Sequence, residues 1–316
     1  MRAPDFWQRR GLGAALLAPL GWLYGASVAI KSRTARPFDP GLPVICVGNL
    51  TAGGSGKTPI AIAIAERLRA RGHKPYFLTR GYGGSERGPA LASRGHSAAL
   101  MGDEALLLAR AAPTIVARDR AAGARLAKDK GATVLVMDDG HQNFSLRKSL
   151  SLVVVDAETG FGNGHQIPAG PLREPVAQGL ARADSVIRVG DGSPDLGDYK
   201  GRLLRAHLQA DGESVAGKSV FAFAGIGRPE KVAASLEDSG ATVMGSCFFP
   251  DHHPYTEDEI IELRAVAGEA MLVTTEKDFV RLSTAQREGI RMLKVAAVFD
   301  DAGAIERLLD SLAPRA

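Results

Sequence analysis

A glycine-rich stretch between an apolar run and an alanine-rich segment constrains this chain more than any other feature. Residues 44–48 read VICVG and predict a strand, TAGGSGKT follows at 51–58, and residues 60–68 predict a helix. Strand, glycine-rich loop, Lys-Thr and helix is the order of a phosphate-binding P-loop. We therefore expect an α/β fold with a mostly parallel sheet built around this loop.

The chemistry of a P-loop assigns a role to each part of the stretch. Glycine has no Cβ, so main-chain N–H groups converge on phosphate oxygens, and the helix N-terminus adds further donors. Lys57 would reach the β- and γ-phosphates of a nucleotide, and the Thr58 hydroxyl would bind Mg²⁺. Thr51 stands where the general pattern has its first glycine, and the alternative is a strand-to-helix turn that merely contains glycines. The predicted nucleotide-binding residues are Thr51, Ala52, Gly53, Gly54, Ser55, Gly56, Lys57 and Thr58.

A second apolar strand, at residues 133–137, ends in the acids Asp138 and Asp139. A carboxylate at the end of a buried strand is the Walker-B pattern, which holds Mg²⁺ at the phosphates. Many buried strands end in aspartate, so the alternative is a polar turn. Together with the P-loop, the pattern predicts a metal site formed by Thr58, Asp138 and Asp139.

Further polar side chains follow other predicted strands, where α/β sheets bind ligands. Arg80 follows a strand at 76–79, and Asp103 precedes a helix at 105–111, where it would serve equally well as an N-cap. Arg173 and Glu174 lie in a long Gly/Pro-rich loop, a type that is often functional. The candidate proton acceptors in strand-end loops are Asp103, Glu174 and His252, the last of which lies in a loop at 248–255.

The N-terminal region contains an uncharged run, residues 11–30, between basic residues. Its length would just span a bilayer, but its glycines, proline and serine dilute its hydrophobicity. A secretory signal, a helix lying in the membrane interface and a helix buried in the protein are the other interpretations. The flanking residues are Arg2, Arg9, Arg10, Lys31, Arg33 and Arg36, and the candidate interfacial anchors are Phe6, Trp7, Trp22 and Tyr24.

The length of 316 residues and a composition with 45% hydrophobic and 23% charged residues predict a globular protein of two domains. We expect an N-terminal membrane-docking segment at 1–36, a P-loop domain at 37–200 and a smaller α/β domain at 201–316. The domain boundary falls between 190 and 217, one last strand covers 292–297, and a helix covers 301–313. The net charge of +4, without aromatic–basic interleaving, predicts no nucleic-acid partner. Cys46 and Cys247 read as buried thiols in a reducing compartment.

A set of motifs in a fixed order resembles the tetraacyldisaccharide 4'-kinase family, the lipid A 4'-kinases. The resemblance covers most of the chain, from about residue 6 to 282, and Thr51 fits that family's loop. His141 departs from it, because the residue after Asp-Asp-Gly is commonly Phe. The motifs are 47–59 with the P-loop, 79–82, 102–104, 138–140 with Gln142, 168–174, 224–229 including Arg228, 251–252 and 275–278.

The resemblance implies ATP- and Mg²⁺-dependent phosphorylation of the 4'-hydroxyl of a tetraacylated glucosamine disaccharide 1-phosphate. It implies a peripheral enzyme on the cytoplasmic face of the inner membrane, which meets membrane lipids and needs no obligate protein partner. Two α/β domains would enclose the site. Asp103 would be the base with His252 as its partner, and Lys57 would act on the phosphates. The implied substrate contacts are Arg80, Gln142, Arg173 and Glu174.

Two other classes of protein compete with this interpretation. A P-loop switch NTPase or metallochaperone-type NTPase would pass phosphate to water and act on a protein partner. A nucleotide-independent membrane scaffold would not use Lys57 at all.

Overall fold

The computed structural model describes residues 4–9, 11–93, 95–210, 215–227, 229–310 and 312. Three arginines named above, Arg2, Arg10 and Arg228, lie outside these described residues. Within the described part of the chain, the strands form one sheet of nine and one sheet of four.

Helices and strands alternate along most of the chain. The strands are β1 (Val44–Gly48), β2 (Pro75–Thr79), β3 (Ala90–Ala92), β4 (Thr114–Val116), β5 (Val134–Asp138), β6 (Leu150–Asp156), β7 (Ser185–Val189), β8 (Arg202–Ala210), β9 (Ser219–Ala224), β10 (Thr242–Phe248), β11 (Met271–Thr275), β12 (Arg291–Leu293) and β13 (Val295–Phe299). The helices are α1 (Leu12–Thr34), α2 (Lys57–Ala70), α3 (Ala98–Met101), α4 (Asp103–Ala111), α5 (Arg120–Asp129), α6 (Val176–Leu180), α7 (Glu230–Asp238), α8 (Glu257–Ala267), α9 (Glu276–Phe279) and α10 (Ala302–Asp310), with a 3-10 turn at Asp5–Trp7.

The nine-stranded sheet has the order β13-β8-β7-β6-β1-β5-β2-β4-β3. Its strands pair in parallel except for β13 and β3 at the two edges. Every residue of β1 and β5 is buried, as expected for central parallel strands covered on both faces. The prediction of a mostly parallel α/β sheet is confirmed.

Helices cover both faces of this sheet. On one face α2 packs its Ile60, Ile64 and Leu68 against apolar residues of β1 and β6. On the other face, alanines of α5 lie against Ile115 and Leu135. The small alanine side chains bring α5 close to the strands, and the sheet is held rigid beneath its carboxyl edge.

The four-stranded sheet has the order β10-β9-β11-β12, and its pairs are all parallel. α7 packs on one face and α8 on the other. The boundary predicted at residue 200 differs from the division between the sheets. β8 continues the large sheet beside β7, and β13 pairs with β8. α10 also contributes Ile305, Leu308 and Leu309 to the core of the large sheet.

The single strand predicted at 292–297 is two strands. β12 pairs with β11 in the small sheet, whereas β13 pairs with β8 in the large sheet. Lys294 is the residue between them. Apolar residues lie on both sides of Lys294, so hydrophobicity alone does not reveal the change of sheet.

Helix α1 presents two different faces. Its small residues Ala14, Ala18 and Gly21 are buried, and a Cβ on Gly21 would lie 2.8 Å from the main-chain oxygen of Gln166, so only glycine permits this approach. The 23-residue helix is long and apolar enough to cross a membrane by length and composition. Its opposite face exposes the large apolar side chains Leu12, Leu16, Leu20, Trp22, Leu23 and Ile30. The N-terminal apolar helix is confirmed, and its exposed face is compatible with membrane association.

Candidate active site

The P-loop lies at the carboxyl end of β1, between its two parallel neighbours β5 and β6. Gly56 precedes α2 with φ of 81°, a left-handed conformation that favours glycine. Asn49 is buried, and its side-chain amide donates to the Ser55 hydroxyl at 3.1 Å. Thr51 forms an antiparallel bridge with Leu172. The P-loop is therefore held at both ends by hydrogen bonds, and the N-terminus of α2 follows directly after it.

The acid pair follows β5, the strand beside β1. The Thr58 hydroxyl donates to Asp138 Oδ2 at 3.2 Å. Lys57 Nζ lies 3.8 Å from Asp139 Oδ1, and Arg173 donates to the same oxygen at 2.7 Å. Asp139 has φ of 54° and His252 has φ of 62°, and among the described residues only these two non-glycine residues have positive φ. Such strain concentrates at functional positions.

The pKa values of the two acids are shifted in opposite directions. Burial, with the negative charge of Glu104, raises the pKa of Asp138 to about 7. Burial also acts on Asp139, but the charges of Lys57 and Arg173 outweigh it and hold the pKa of that carboxyl below its usual value. The charge of Lys57 only partly offsets the rise in the pKa of Asp138, and Asp138 Oδ1 is buried without a hydrogen-bond partner in the described chain.

These donors fit a magnesium ion. A hydroxyl and hard carboxylate oxygens are the ligands that Mg²⁺ prefers, and phosphates and water complete its shell in nucleotide sites. Among the described residues, no three His, Cys, Asp or Glu side chains form a metal cage. A site made of Thr58, Asp138 and Asp139 therefore needs a phosphate ligand to be complete.

The four predicted substrate contacts occupy two kinds of environment. Glu174 is buried and accepts from Gln142 at 2.9 Å and from Arg182 at 2.5 Å. Gln142 also donates to the Asn49 carbonyl at 2.9 Å, so this cluster supports the P-loop from below. Because both oxygens of Glu174 are engaged, it is a poor candidate for a base. Arg80 is exposed at the end of β2.

Asp103 is the first residue of α4, and Gly102 occupies the N-cap position. The N-cap position therefore belongs to Gly102, although Asp103 Oδ1 accepts the N–H of Glu104 in the first turn at 2.9 Å. The side chain of Asp103 is buried and points to the part of the chain built on the four-stranded sheet, which we call the small-sheet unit. His252 Nδ1 lies 2.9 Å from Asp103 Oδ2, and Arg281 donates to the same oxygen through Nη2 at 2.6 Å and through Nε at 3.0 Å. The structure thus brings Asp103 and His252 together across the two sheets.

The neighbouring Glu104 connects the Asp103–His252 pair with the acid pair Asp138 and Asp139. It lies 3.6 Å from Lys277 of the small-sheet unit, and its charge also acts on Asp138. The base candidates and the metal candidates are therefore close enough to interact electrostatically through Glu104. The arrangement can hold a triphosphate at the P-loop and present a carboxylate–imidazole pair to a second substrate.

Sequence reasoning missed several residues of this site. Arg281 is the main one, with Asp278 and Tyr255 behind it and Arg120 beneath the strand ends. The charged turn 275–278 was a visible signal near Arg281. Nothing in the sequence indicates that Arg281, three residues after this turn, donates to Asp103 of the large-sheet part of the chain.

His141, the departure from the family pattern, is accommodated in the core. Its ring is 1% exposed, and Nε2 lies 2.9 Å from the Gly179 carbonyl oxygen. Burial and the nearby charges of Lys148 and Arg182 lower its pKa to about 3. The unfolded chain binds this proton near pH 6.5, so the unfolded state gains protons first as the pH falls.

We therefore expect His141 to destabilise the wild type as the pH falls below about 6.5. Between pH 7 and pH 5 the wild type should lose about 2 kcal/mol more than His141→Phe, which has no titrating ring. Urea unfolding of both proteins at the two pH values measures this difference. Equal losses in the two proteins would show that the folded state protonates His141 normally.

Comparisons with known proteins show which family this chain resembles. The family model for tetraacyldisaccharide-1-P 4'-kinase matches residues 13–313. A tetraacyldisaccharide 4'-kinase of Paramagnetospirillum magneticum is 50% identical over 325 residues, covering 100% of each chain. One of Rhodospirillum rubrum is 49% identical and covers 99% of this chain and 98% of its own.

A solved structure shares the fold. The crystal structure of LpxK from Aquifex aeolicus in complex with ATP superposes with a TM-score of 0.79 at 23% identity, covering 95% of this chain and 99% of that chain. The family match spans nearly the whole sequence, and the relatives are half identical over their full lengths. This chain therefore belongs to the tetraacyldisaccharide-1-P 4'-kinase family.

Proposed function

We propose that this protein transfers the γ-phosphoryl group of ATP to the 4'-hydroxyl of a tetraacyl glucosamine disaccharide 1-phosphate in lipid A biosynthesis. The single observation that carries the proposal is the buried Asp103–His252 pair, whose neighbour Glu104 acts electrostatically on Asp138, the acid hydrogen-bonded to Thr58 of the P-loop. A switch NTPase needs the P-loop but no such pair, because its acceptor is water. The names of the half-identical relatives and the ATP in the Aquifex LpxK crystal support the choice of substrates.

The P-loop would position the nucleotide. Main-chain N–H groups of residues 53–58 would bind the β- and γ-phosphates, and Lys57 would leave Asp139 to neutralise the transferred group. Thr58, Asp138 and Asp139 would hold magnesium, which neutralises phosphate charge when bound. Positioning and charge neutralisation account for most of the catalysis of phosphoryl transfer.

The Asp103–His252 pair would receive the proton of the attacking alcohol. The O–H bond of the 4'-hydroxyl breaks, its oxygen bonds to the γ-phosphorus, and the bond from that phosphorus to the bridging oxygen of ADP breaks. The proton passes to the pair. We assign Arg173 and Arg80 to the sugar-phosphate end of the acceptor, whereas Gln142 and Glu174 support the P-loop.

The acceptor carries acyl chains, so the enzyme must meet it at a bilayer. We place the protein on the cytoplasmic face of the inner membrane as a peripheral protein, docked through α1. The buried small-residue face of α1 fixes the helix to the protein, and its exposed leucines and Trp22 would enter the interface. Lys31 and Arg33 in its last turn would meet anionic headgroups.

We expect the triple variant Leu16→Glu/Leu20→Glu/Leu23→Glu to lose membrane binding. Each leucine contributes about 1.5–3 kcal/mol when buried in an apolar medium, so partitioning should fall at least about 100-fold. Flotation with vesicles of anionic phospholipid measures the change. Ile261→Glu on α8, another exposed apolar side chain, is the control and should float like the wild type. Undiminished flotation of the triple variant would show that α1 does not dock.

A transfer assay with γ-labelled ATP tests the proposed activity. With the tetraacyl disaccharide 1-phosphate in detergent micelles, we expect the label to enter the lipid-soluble fraction. Release of label only as free phosphate would favour the switch NTPase and contradict the proposal. Lipid labelling that does not change when Lys57 is replaced would trace the activity to a contaminant.

A further inference from the structure

Arg281 contacts the proposed base Asp103 but has no role in the mechanism proposed above. It follows α9 in the small-sheet unit, and its side chain is 5% exposed. Nε and Nη2 donate to Asp103, while Nη1 donates to Asp278 Oδ1 and to the Gly225 carbonyl, both at 2.7 Å. All three guanidinium nitrogens are therefore engaged, which fixes the plane of the group.

Asp278 anchors Arg281 within the small-sheet unit. Oδ1 of Asp278 accepts from the Tyr255 hydroxyl at 2.9 Å and from the Gly225 N–H at 3.0 Å, and Oδ2 accepts from the Thr275 hydroxyl at 2.6 Å. Asp278 itself is fully buried. Because its partners come from three different segments, Asp278 and Arg281 keep their places whether or not Asp103 is engaged.

The contacts make the two oxygens of Asp103 unequal. Oδ2 is shared by Arg281 and His252 Nδ1, as given above. Oδ1 accepts only the N–H of Glu104, at 2.9 Å, among the contacts of the described residues. Each carboxylate oxygen has two lone pairs, so Oδ1 retains one for a further donor.

The charged groups around Asp103 come from three elements. Glu104 stands beside it on α4, His252 and Asp251 lie on the loop after β10, and Lys277, Asp278 and Arg281 belong to the segment around α9. Burial by itself would raise the pKa of Asp103. The hydrogen bond from His252 and the charges of Lys277 and Arg281 outweigh burial and hold that pKa well below its usual value.

We propose that Arg281 is a positioning residue for phosphoryl transfer: it fixes one oxygen of Asp103 and keeps the carboxylate ionised, so that the other oxygen receives the proton of the attacking hydroxyl. The inference rests on the proposed kinase function. The hydroxyl O–H bond breaks as its oxygen bonds to the γ-phosphorus and ADP leaves, and the proton ends on Asp103 Oδ1. A carboxylate of low basicity is sufficient, because kinases of this chemistry use an aspartate in the same role.

The competing explanation is that Arg281 only joins the two units as a buried ion pair. A purely structural arginine would change stability, and its loss would leave the protonation of Asp103 in the active enzyme unchanged. A double-mutant cycle with Asp103→Asn separates the two explanations, because a residue that acts through Asp103 should have no further effect on kcat once that carboxylate is gone.

Arg281→Gln should lower kcat at least about tenfold at pH 7.5, with KM for ATP unchanged, and should lower kcat no further when Asp103 is already asparagine. Arg281→Lys keeps the charge but not the planar fork, so its kcat should lie between those of Arg281→Gln and the wild type. The matched control is Arg264→Gln, an arginine of the same unit that donates to the carbonyls of Gln286 and Glu288. Its kcat and KM for ATP should match those of the wild type.

A fall in kcat that is as large in the Asp103→Asn background as in the wild type would overturn the proposal, because Arg281 would then not act through Asp103. If Arg281→Gln does not unfold cooperatively, Arg281→Lys decides, and wild-type kcat in it would overturn the proposal. The wild type is assayed in parallel with labelled ATP and the lipid acceptor. Absence of transfer in the wild type would count against the kinase function itself and would be distinguishable from a failure of the role of Arg281.

Discussion

Replacing Asp103 by asparagine is expected to reduce kcat by about 10²- to 10⁴-fold, the range for loss of a general base. Asparagine has nearly the same shape, but it cannot accept a proton at the pH of the assay. The P-loop, Lys57 and the acid pair are untouched, so the affinity for MgATP should change little. Steady-state transfer of label to the lipid acceptor gives kcat, and calorimetric titration gives the nucleotide affinity.

The control must separate chemistry from folding. Asp103→Asn leaves Arg281 facing a neutral amide, although Arg281 still pairs with Asp278 at 2.7 Å. Thermal unfolding should therefore show a cooperative transition at a lower temperature. Asp39→Asn, which removes an exposed carboxylate paired with Arg147, should change neither kcat nor the unfolding temperature appreciably. Turnover of Asp103→Asn within a few fold of the wild type would remove Asp103 from the role of base.

The local parts of this fold could be predicted because their signals are local. Buried β-branched runs, the glycines of the P-loop and the alanine-rich α2 each specify an element within about fifteen residues. Parallel strands then bring their carboxyl ends to one edge, which placed Lys57 and the acid pair in the same cleft.

The long-range pairings could not be predicted in the same way. β8 carries Arg202, Arg205 and His207 among its apolar residues, because only one of its faces is well covered. The sequence pattern therefore does not indicate a strand, and β8 falls within the boundary region predicted between residues 190 and 217. β13 joins it from almost a hundred residues away, and no spacing rule connects two such segments.

The site shows the same limit at the level of side chains. The motifs placed Asp103 and His252 in loops, and the resemblance paired them. The left-handed backbone at His252 and the contact of Arg281 with Asp103 depend on how the two sheets meet. Those features follow from tertiary packing, which one sequence without its structure does not contain.

Replacing Lys57 by methionine is expected to weaken ATP binding and to lower kcat by about 10²- to 10³-fold, as for loss of one preorganised donor to a developing charge. Methionine keeps the length and apolar stem of lysine and removes only the ammonium group. Lys57 Nζ lies 3.8 Å from Asp139 Oδ1, and Arg173 donates to the same oxygen at 2.7 Å. Asp139 therefore keeps a cation in the variant, and the unfolding temperature should scarcely change.

The comparison with Asp103→Asn distinguishes the two roles. Loss of Lys57 acts on the nucleotide in both the ground state and the transition state, so ATP affinity and kcat fall together. Loss of Asp103 acts on the proton alone, so only kcat falls. Lys74→Met, which removes an exposed lysine before β2, controls for the loss of one positive charge and should match the wild type in both measurements. Transfer by Lys57→Met within tenfold of the wild type would mean that the P-loop binds nucleotide through its main-chain amides alone, and the assignment of the ammonium group to the phosphates would be wrong.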